Sequence, residues 1–237
     1  MAHVTVNDVV VEFPIYGAKS RSLKNTVLHA ATGGRLATDA HERVVIRALN
    51  GLSFEFNEGD RVGIVGHNGS GKSTLLRVLV GAYEPVRGSI ETVGRIASML
   101  SLTLGIDVEA TGYDNIFLRG AIMGLTRRQI EAVVDEISEF SGLGDYIHMP
   151  MRTYSSGMYM RLAFAISTSV AADIVVMDEW LSAGDHSFAE KAQGRLADLI
   201  DRAKILVLAS HDETMIRNNC NKILHLDHGD IVKFAAL

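Results

Sequence analysis

Cysteine is nearly absent. Cys220 stands alone among 237 residues, which rules out an intrachain disulfide and any zinc cage built from several thiolates. A reducing interior compartment is then the simplest setting. Long apolar runs are missing too. The richest, Leu162 to Ala172, is broken by Ser167, Thr168 and Ser169 and stopped by Asp173, well short of the ~20 residues that span a bilayer. Met1 to Asp8 has no basic lead followed by an apolar stretch, so no secretory leader is expected. The expectation is a chain soluble by itself, with any membrane role supplied by a partner. Basic charge is not in excess: 23 Lys and Arg against 28 Asp and Glu give a net charge of −5 and a pI near 6.0. That disfavours a globally basic nucleic-acid binder and leaves room only for a local basic patch.

What is present suffices for a folded core. Hydrophobic residues make up 47% and charged ones 22% of a chain whose length suits one large domain or two small ones. There is no internal repeat. Val4 to Phe13 reads as a strand or hairpin bending at Asn7-Asp8, and Tyr16 to Arg43 as a long loop with at most one short helix. Val44 to Ala48 and Leu52 to Phe56 read as two strands joined by an Asn50-Gly51 turn. Arg61 to Val65 is a short apolar strand entering a glycine-rich turn, and Lys72 to Ala82 is helical by its Leu75, Leu76, Leu79 and Val80 spacing. Thr111 to Phe140 is helical, with Thr126 as an N-cap and Gly142 and Gly144 as stops. Another helix opens at Tyr154 to Met158 and runs through Val170. Ile174 to Met177, Ile205 to Ala209 and Ile223 to Leu226 are short buried strands, separated by helices at Ser187 to Ala203 and Glu213 to Asn219. Such alternation marks an α/β sheet covered on both faces.

Three stretches carry chemistry. Gly66-His67-Asn68-Gly69-Ser70-Gly71-Lys72-Ser73 satisfies G-x-x-x-x-G-K-[ST] between a strand and a helix start. Its glycines let backbone N–H groups converge on phosphates, Lys72 reaches the β/γ oxygens, and the Ser73 hydroxyl can bind Mg²⁺. Thr74 would lie near the α-phosphate. The apolar run Ile174 to Met177 ends in Asp178-Glu179, where a P-loop sheet presents its Mg²⁺-associated carboxylate. Asp178 would hold the metal, and Glu179, one residue further, would face the attacking water. Tyr154-Ser155-Ser156-Gly157-Met158 opens a helix, giving a second anion-binding N-terminus, with a hydroxyl from Ser155 and close backbone approach at Gly157.

Taken in order, these motifs resemble the ATP-binding cassette family, whose signature sequence lies some two dozen residues before the Asp-Glu pair. Asp185 after Ser182-Ala183-Gly184 resembles its D-loop, and His211 after Ser210 its switch histidine, a hydrogen-bond donor to the γ-phosphate. The likeness runs from about Val4 to Phe234. It implies an α/β P-loop NTPase fold with a mixed sheet, an antiparallel β part and a helical subdomain. Residues 1–110 and 171–237 would form the RecA-like core with its N-terminal β part, and residues 111–170 the helical subdomain carrying the signature. The resemblance further implies ATP and Mg²⁺, with hydrolysis by a homodimer that sandwiches ATP between Lys72 of one copy and Ser155, Ser156 and Gly157 of the other. Family members stack adenine on an aromatic residue near the first strands, here either Tyr16 or Phe13. No Asn-Lys-x-Asp pattern for reading guanine occurs.

Within that family, Phe13-Pro14-Ile15-Tyr16, Arg21-Ser22-Leu23-Lys24, the Tyr-Ser-Ser-Gly-Met signature and Ser182-Ala183-Gly184-Asp185 resemble the exporters of O-antigen, capsular polysaccharide and teichoic acid. That likeness implies a peripheral subunit on the cytoplasmic face of the inner membrane, bound to a separate permease and moving a lipid-linked glycan. Other exported cargoes, or a soluble cassette ATPase without a permease, are the alternatives, and no nucleic-acid partner is expected. Some longer relatives add a C-terminal carbohydrate-binding domain, which this chain, ending near Leu237, is expected to lack. One departure stands out. The loop where the family usually carries Gln or Glu reads Ala97 to Gly105 with neither, and Ser101 would take that position. Leu100 to Val108 would either accept a permease helix or pack as a plain loop. Lys19, Arg21 and Lys24 would either touch anionic groups or form a solvated face.

Overall fold

The computed structural model describes residues 1–19, 36–38, 43–100, 102–178 and 186–237. In chain order the strands are β1 (His3–Lys19), β2 (Leu36–Thr38), β3 (Arg43–Asn57), β4 (Arg61–Val65), β5 (Arg87–Val93), β6 (Ile96–Ser98), β7 (Ile174–Asp178), β8 (Ile205–Ala209), β9 (Lys222–Asp227) and β10 (Asp230–Ala236). The helices are α1 (Lys72–Leu79), α2 (Gly112–Ile122), α3 (Arg127–Glu131), α4 (Val134–Ser141), α5 (Ser156–Ser167), α6 (His186–Arg202) and α7 (Glu213–Asn219). They gather into two units, Met1–Arg95 with Val176–Glu179 and Lys204–Leu237, and Ile96–Val175 with Trp180–Ala203. The second unit thus takes in more of the chain than residues 111–170.

The first unit contains an antiparallel sheet in the order β2-β3-β1-β5. Its two long strands correct the sequence reading. Neither Asn7-Asp8 nor Asn50-Gly51 is a hairpin turn. Both lie inside continuous strands as β-bulges, where the β1/β3 register shifts between Val6↔Phe54, Val9↔Leu52 and Val10↔Asn50. Asp8 has φ 48 and Gly51 φ 81, and the Asp8 amide donates to Ser53 Oγ at 2.9 Å. An Asn-Gly pair favours a two-residue turn when only local forces act. Here long-range pairing of the valines at 4, 6, 9, 10 and 11, all buried, outweighs it, and the positive φ is spent on a bulge. β1 also continues to Lys19, and β2 falls within what reads from sequence as the Tyr16 to Arg43 loop.

The second sheet of this unit runs β10-β9-β4-β8-β7, with β7 contributing its Val176–Asp178 end. β4 lies parallel to both β8 and β9, with Ile64 beside Ala209 and Leu224. Parallel pairing brings the C-terminal ends of β4 and β8 to one edge. The residues between are apolar throughout: β8 is buried from Ile205 to Ala209 and β4 from Val62 to Ile64, as a sheet covered on both faces requires. β10, absent from the sequence reading, pairs antiparallel with β9 and sets Phe234 edge-on to Phe54 and Phe56, at 6.3 and 5.9 Å between ring centres.

The second unit is mainly helical. α2 and α3 each begin with a capping box, Thr111 with Asp114 and Thr126 with Gln129, and Gly142 ends α4 in the left-handed region at φ 62. These satisfy backbone groups that helix ends otherwise leave open. Ile116, Ile130, Ile137, Leu162 and Ile166 form the core between them. Polar side chains are buried with it, Asn115 and Arg119 among them. Asn115 accepts from the Asp107 amide at 2.8 Å and donates to the carbonyls of Asp107 and Thr111. Arg119 donates to the carbonyls of Leu102 and Leu104 and to Ser167 Oγ, and burial holds its guanidinium below the usual value. Together they fix the segment flanking Ser101, a residue outside those described.

Cys220 follows α7, and burial pushes its thiol from 9.0 up to about 11, with Arg61 opposing. At pH 8 that leaves roughly a hundredfold less thiolate than an ordinary cysteine offers. Iodoacetamide should therefore modify the folded chain slowly at pH 8, with the rate climbing up to about pH 11 and rising sharply in denaturant. Rapid modification of the native chain at pH 8 contradicts this placement.

Candidate functional site

The glycine-rich turn leaves the C-terminal end of β4 and enters α1, as its sequence requires. Gly66, Gly69 and Gly71 sit at φ 151, 79 and 113, and a Cβ on Gly66 would lie 2.2 Å from the Leu226 carbonyl oxygen. Only glycine fits that approach. The loop closes on itself through the Ser70 amide to the His67 carbonyl at 3.0 Å. Gly71 is the N-cap of α1 and supplies no side-chain cap, so no capping side chain occupies the helix start where an anion would bind. Lys72 is buried, and its Nζ donates to the carbonyls of Gly66 at 2.7 Å and His67 at 3.2 Å. An ammonium held across its own loop is in place to exchange carbonyl oxygens for phosphate oxygens.

Ser73 and Asp178, 105 residues apart, meet: the Ser73 hydroxyl donates to Asp178 Oδ2 at 2.7 Å. Two hard oxygen donors beside a phosphate-binding loop are what Mg²⁺ takes as protein ligands, so the residues present fit the ion. Ser210 and exposed His211 leave β8 at the edge from which the loop leaves β4. Ser210 Oγ accepts from the Asp212 amide at 3.1 Å, and Asp212 caps α7. Thr74 lies in the first turn of α1. Glu179 and the stretch Ser182-Ala183-Gly184-Asp185 lie outside the described residues, as do Arg21, Ser22, Leu23 and Lys24. Tyr16 and Lys19 fall on β1, their side chains outside the description. Phe13 packs edge-on against Tyr83 at 5.4 Å, which gives that ring an internal partner.

In the second unit, Ser155 is the N-cap of the 12-residue α5, its Oγ accepting from the Met158 amide at 3.2 Å. Ser155, Ser156 and Gly157 are all exposed, and a Cβ on Gly157 would meet nothing closer than Ser155 Oγ at 3.9 Å. The helix start is open to an incoming group. Tyr154 is structural: its hydroxyl donates to the Tyr146 carbonyl at 2.7 Å, and burial raises it above the usual phenol range.

One support is not legible in the sequence. The β9–β10 turn, 227–230, braces the phosphate loop: Gly229 N–H donates to the Ser70 carbonyl at 2.8 Å. The His67 ring contacts Asp227 Oδ1 at 2.8 Å, and His228 Nδ1 contacts the same oxygen at 2.8 Å. The hydrogen bond from His228, with a further one from His67, holds the Asp227 carboxyl below the usual range, against the effect of desolvation. An Asp-His-Gly-Asp sequence signals a turn, but nothing local says that it reaches a loop 160 residues away.

The family model described as ABC transporter matches residues 49–182. The O-antigen export system ATP-binding protein RfbE of Yersinia enterocolitica is 43% identical over 97% of this chain and 96% of its own length. RfbB of Myxococcus xanthus, also an O-antigen export system ATP-binding protein, is 40% identical over 97% of this chain, which spans 52% of that relative. The teichoic acids export ATP-binding protein TagH of Staphylococcus saprophyticus is 36% identical over 99% of this chain and 84% of its own length. Among solved structures, the dimeric post-hydrolysis state of the ATP-binding cassette MJ0796 bound to ADP and Pi shares the fold, at 18% identity and a TM-score of 0.67 over 99% of this chain and 98% of that one. With a full-length relative this similar and a family match over more than half its residues, the chain belongs to the ABC transporter family, among its ATP-binding subunits.

Proposed function

We propose that this ATPase powers export of a lipid-linked polysaccharide of the O-antigen kind, as a homodimer bound to a separate permease on the cytoplasmic face of the inner membrane. The observation that carries the reading is the likeness to the O-antigen export protein RfbE along 97% of this chain and 96% of its relative. Among the described residues no helix is long and apolar enough to cross a membrane, so on this reading the path for the glycan comes from the permease. A teichoic acid or capsular cargo is the second reading, favoured by the 36% identity to TagH.

In this mechanism the backbone amides of Gly66 to Ser73 and the Lys72 ammonium bind and orient the nucleotide's phosphates. Ser73 and Asp178 would hold Mg²⁺, which would supply positive charge against the nucleotide's terminal phosphates. Glu179 orients the attacking water, and His211 donates a hydrogen bond towards the γ-phosphate. Tyr16 is the aromatic residue proposed to stack on adenine. Ser155, Ser156 and Gly157 of the second copy close the site with an open helix N-terminus, which excludes water and adds donors to the transferring group.

Two measurements test this reading. Lys72→Ala should weaken ATP binding in an equilibrium titration and cut phosphate release by roughly a hundredfold or more, because it deletes the cation facing the phosphates. Unchanged affinity removes Lys72 from that role. Purification from native membranes should recover an integral permease, and deletion should leave lipid-linked glycan inside the cell with the surface bare. Recovery of a permease whose loss leaves every surface glycan in place overturns the proposed cargo.

A further inference from the structure

The contacts of His67 impose a condition that the phosphate loop alone does not meet. Its Nδ1 lies 2.7 Å from the Asn68 backbone carbonyl oxygen, an atom that can only accept, so Nδ1 carries the hydrogen. In the neutral ring, Nε2 is then a bare lone pair, yet it faces Asp227 Oδ1 at 2.8 Å. Two lone pairs at that distance repel unless a cation lies between them, either a proton, which makes the hydrogen bond to Asp227 described above, or a metal ion. His228 Nδ1 stands 2.8 Å from the same carboxylate oxygen, and the two imidazole rings are 4.6 Å apart centre to centre. A single divalent ion would draw on His67 Nε2, His228 Nδ1 and the Asp227 carboxylate at once.

We propose that His67, Asp227 and His228 form a binding site for a divalent transition metal, zinc by chemical preference. The three donor atoms lie within 4.8 Å of one another. Two imidazoles and one carboxylate suit Zn²⁺ and its late first-row neighbours, and not Mg²⁺, which prefers oxygen. Zinc bonds of about 2.0–2.1 Å need donors spread to about 3.3 Å, half an ångström beyond the present contacts. All three side chains are about half exposed, at 46, 47 and 46%, which leaves room for water as a fourth ligand. The hydrogen bond from His67 Nδ1 to the Asn68 carbonyl fixes the tautomer that presents Nε2 to the metal. Asp230 does not compete for the ion, since its Oδ2 accepts from Asn50 Nδ2 at 2.8 Å. His228 also keeps φ 49, in the left-handed region, where Asn or Gly would sit at lower cost. The bound ion would cross-link the phosphate loop to the β9–β10 turn that already braces it through Gly229.

The test uses the tag-free full chain without nucleotide, in excess Mg²⁺ so that Ser73 and Asp178 are saturated. Calorimetric titration with Zn²⁺ should show one ion per chain. His67→Ala and His228→Asn, which tolerates the left-handed backbone, should each weaken binding by at least tenfold, on the order of what loss of a metal-site group costs. His148→Ala, in the second unit, should change nothing. Cobalt added to the unmodified chain should broaden the imidazole proton resonances of two histidines selectively, a readout that needs no variant. Absence of stoichiometric zinc binding to the unmodified chain overturns the proposal. So does zinc binding that neither variant weakens, or cobalt broadening spread over all histidines.

Discussion

Everything in the nucleotide-binding unit depends on one backbone constraint: a loop with three glycines at positive φ must be held open towards its ligand. Such a loop gains little from packing, because its polar groups await a ligand, and it would collapse without supports. Those supports come from three directions. β4 anchors its start, α1 its end, and the β9–β10 turn its middle through the Gly229 amide on the Ser70 carbonyl. Lys72 adds a charge across the loop by bonding the Gly66 and His67 carbonyls. The parallel pairing of β4 with β8 then sets the loop and the Ser210-His211 segment at one edge of the sheet.

The phosphate loop, the Asp178 strand end and strands β7 and β8 were readable because each is signalled locally, by glycine spacing or by a short unbroken apolar run, whereas β9, which also reads as buried, exposes His225. The helix starts at Thr111 and Thr126 follow the same logic, since a capping box lies within four residues. What escaped depends on distant partners. Asn50-Gly51 carries the strongest local turn signal in the N-terminal region, yet it becomes a bulge because the β1 valines must pair with β3 in a register that no local rule supplies. The exposed faces of β5 and β10 gave too little apolar pattern to read. Likewise His67 reads as a spacer between glycines, and only the fold brings its ring to Asp227.

On the proposed reading, the helical unit supplies the complement of the phosphate loop. Its α5 N-terminus is exposed, capped by Ser155 alone, and stripped of side chain at Gly157. Tyr154 fixes the turn from behind through the Tyr146 carbonyl. Each chain therefore carries a cradle rich in amides and, elsewhere, an open helix start able to complete a cradle. On the proposed reading, ATP is the element that joins these halves across two copies, and closing them is the stroke passed to the permease.

The most direct test of that shared site is the mass of the Glu179→Gln chain in solution, with and without Mg-ATP, followed by analytical ultracentrifugation. The account predicts a shift from monomer to a stable dimer holding two ATP molecules, because both halves bind while the water lacks its orienting carboxylate. A monomer saturated with ATP under the same conditions would contradict it.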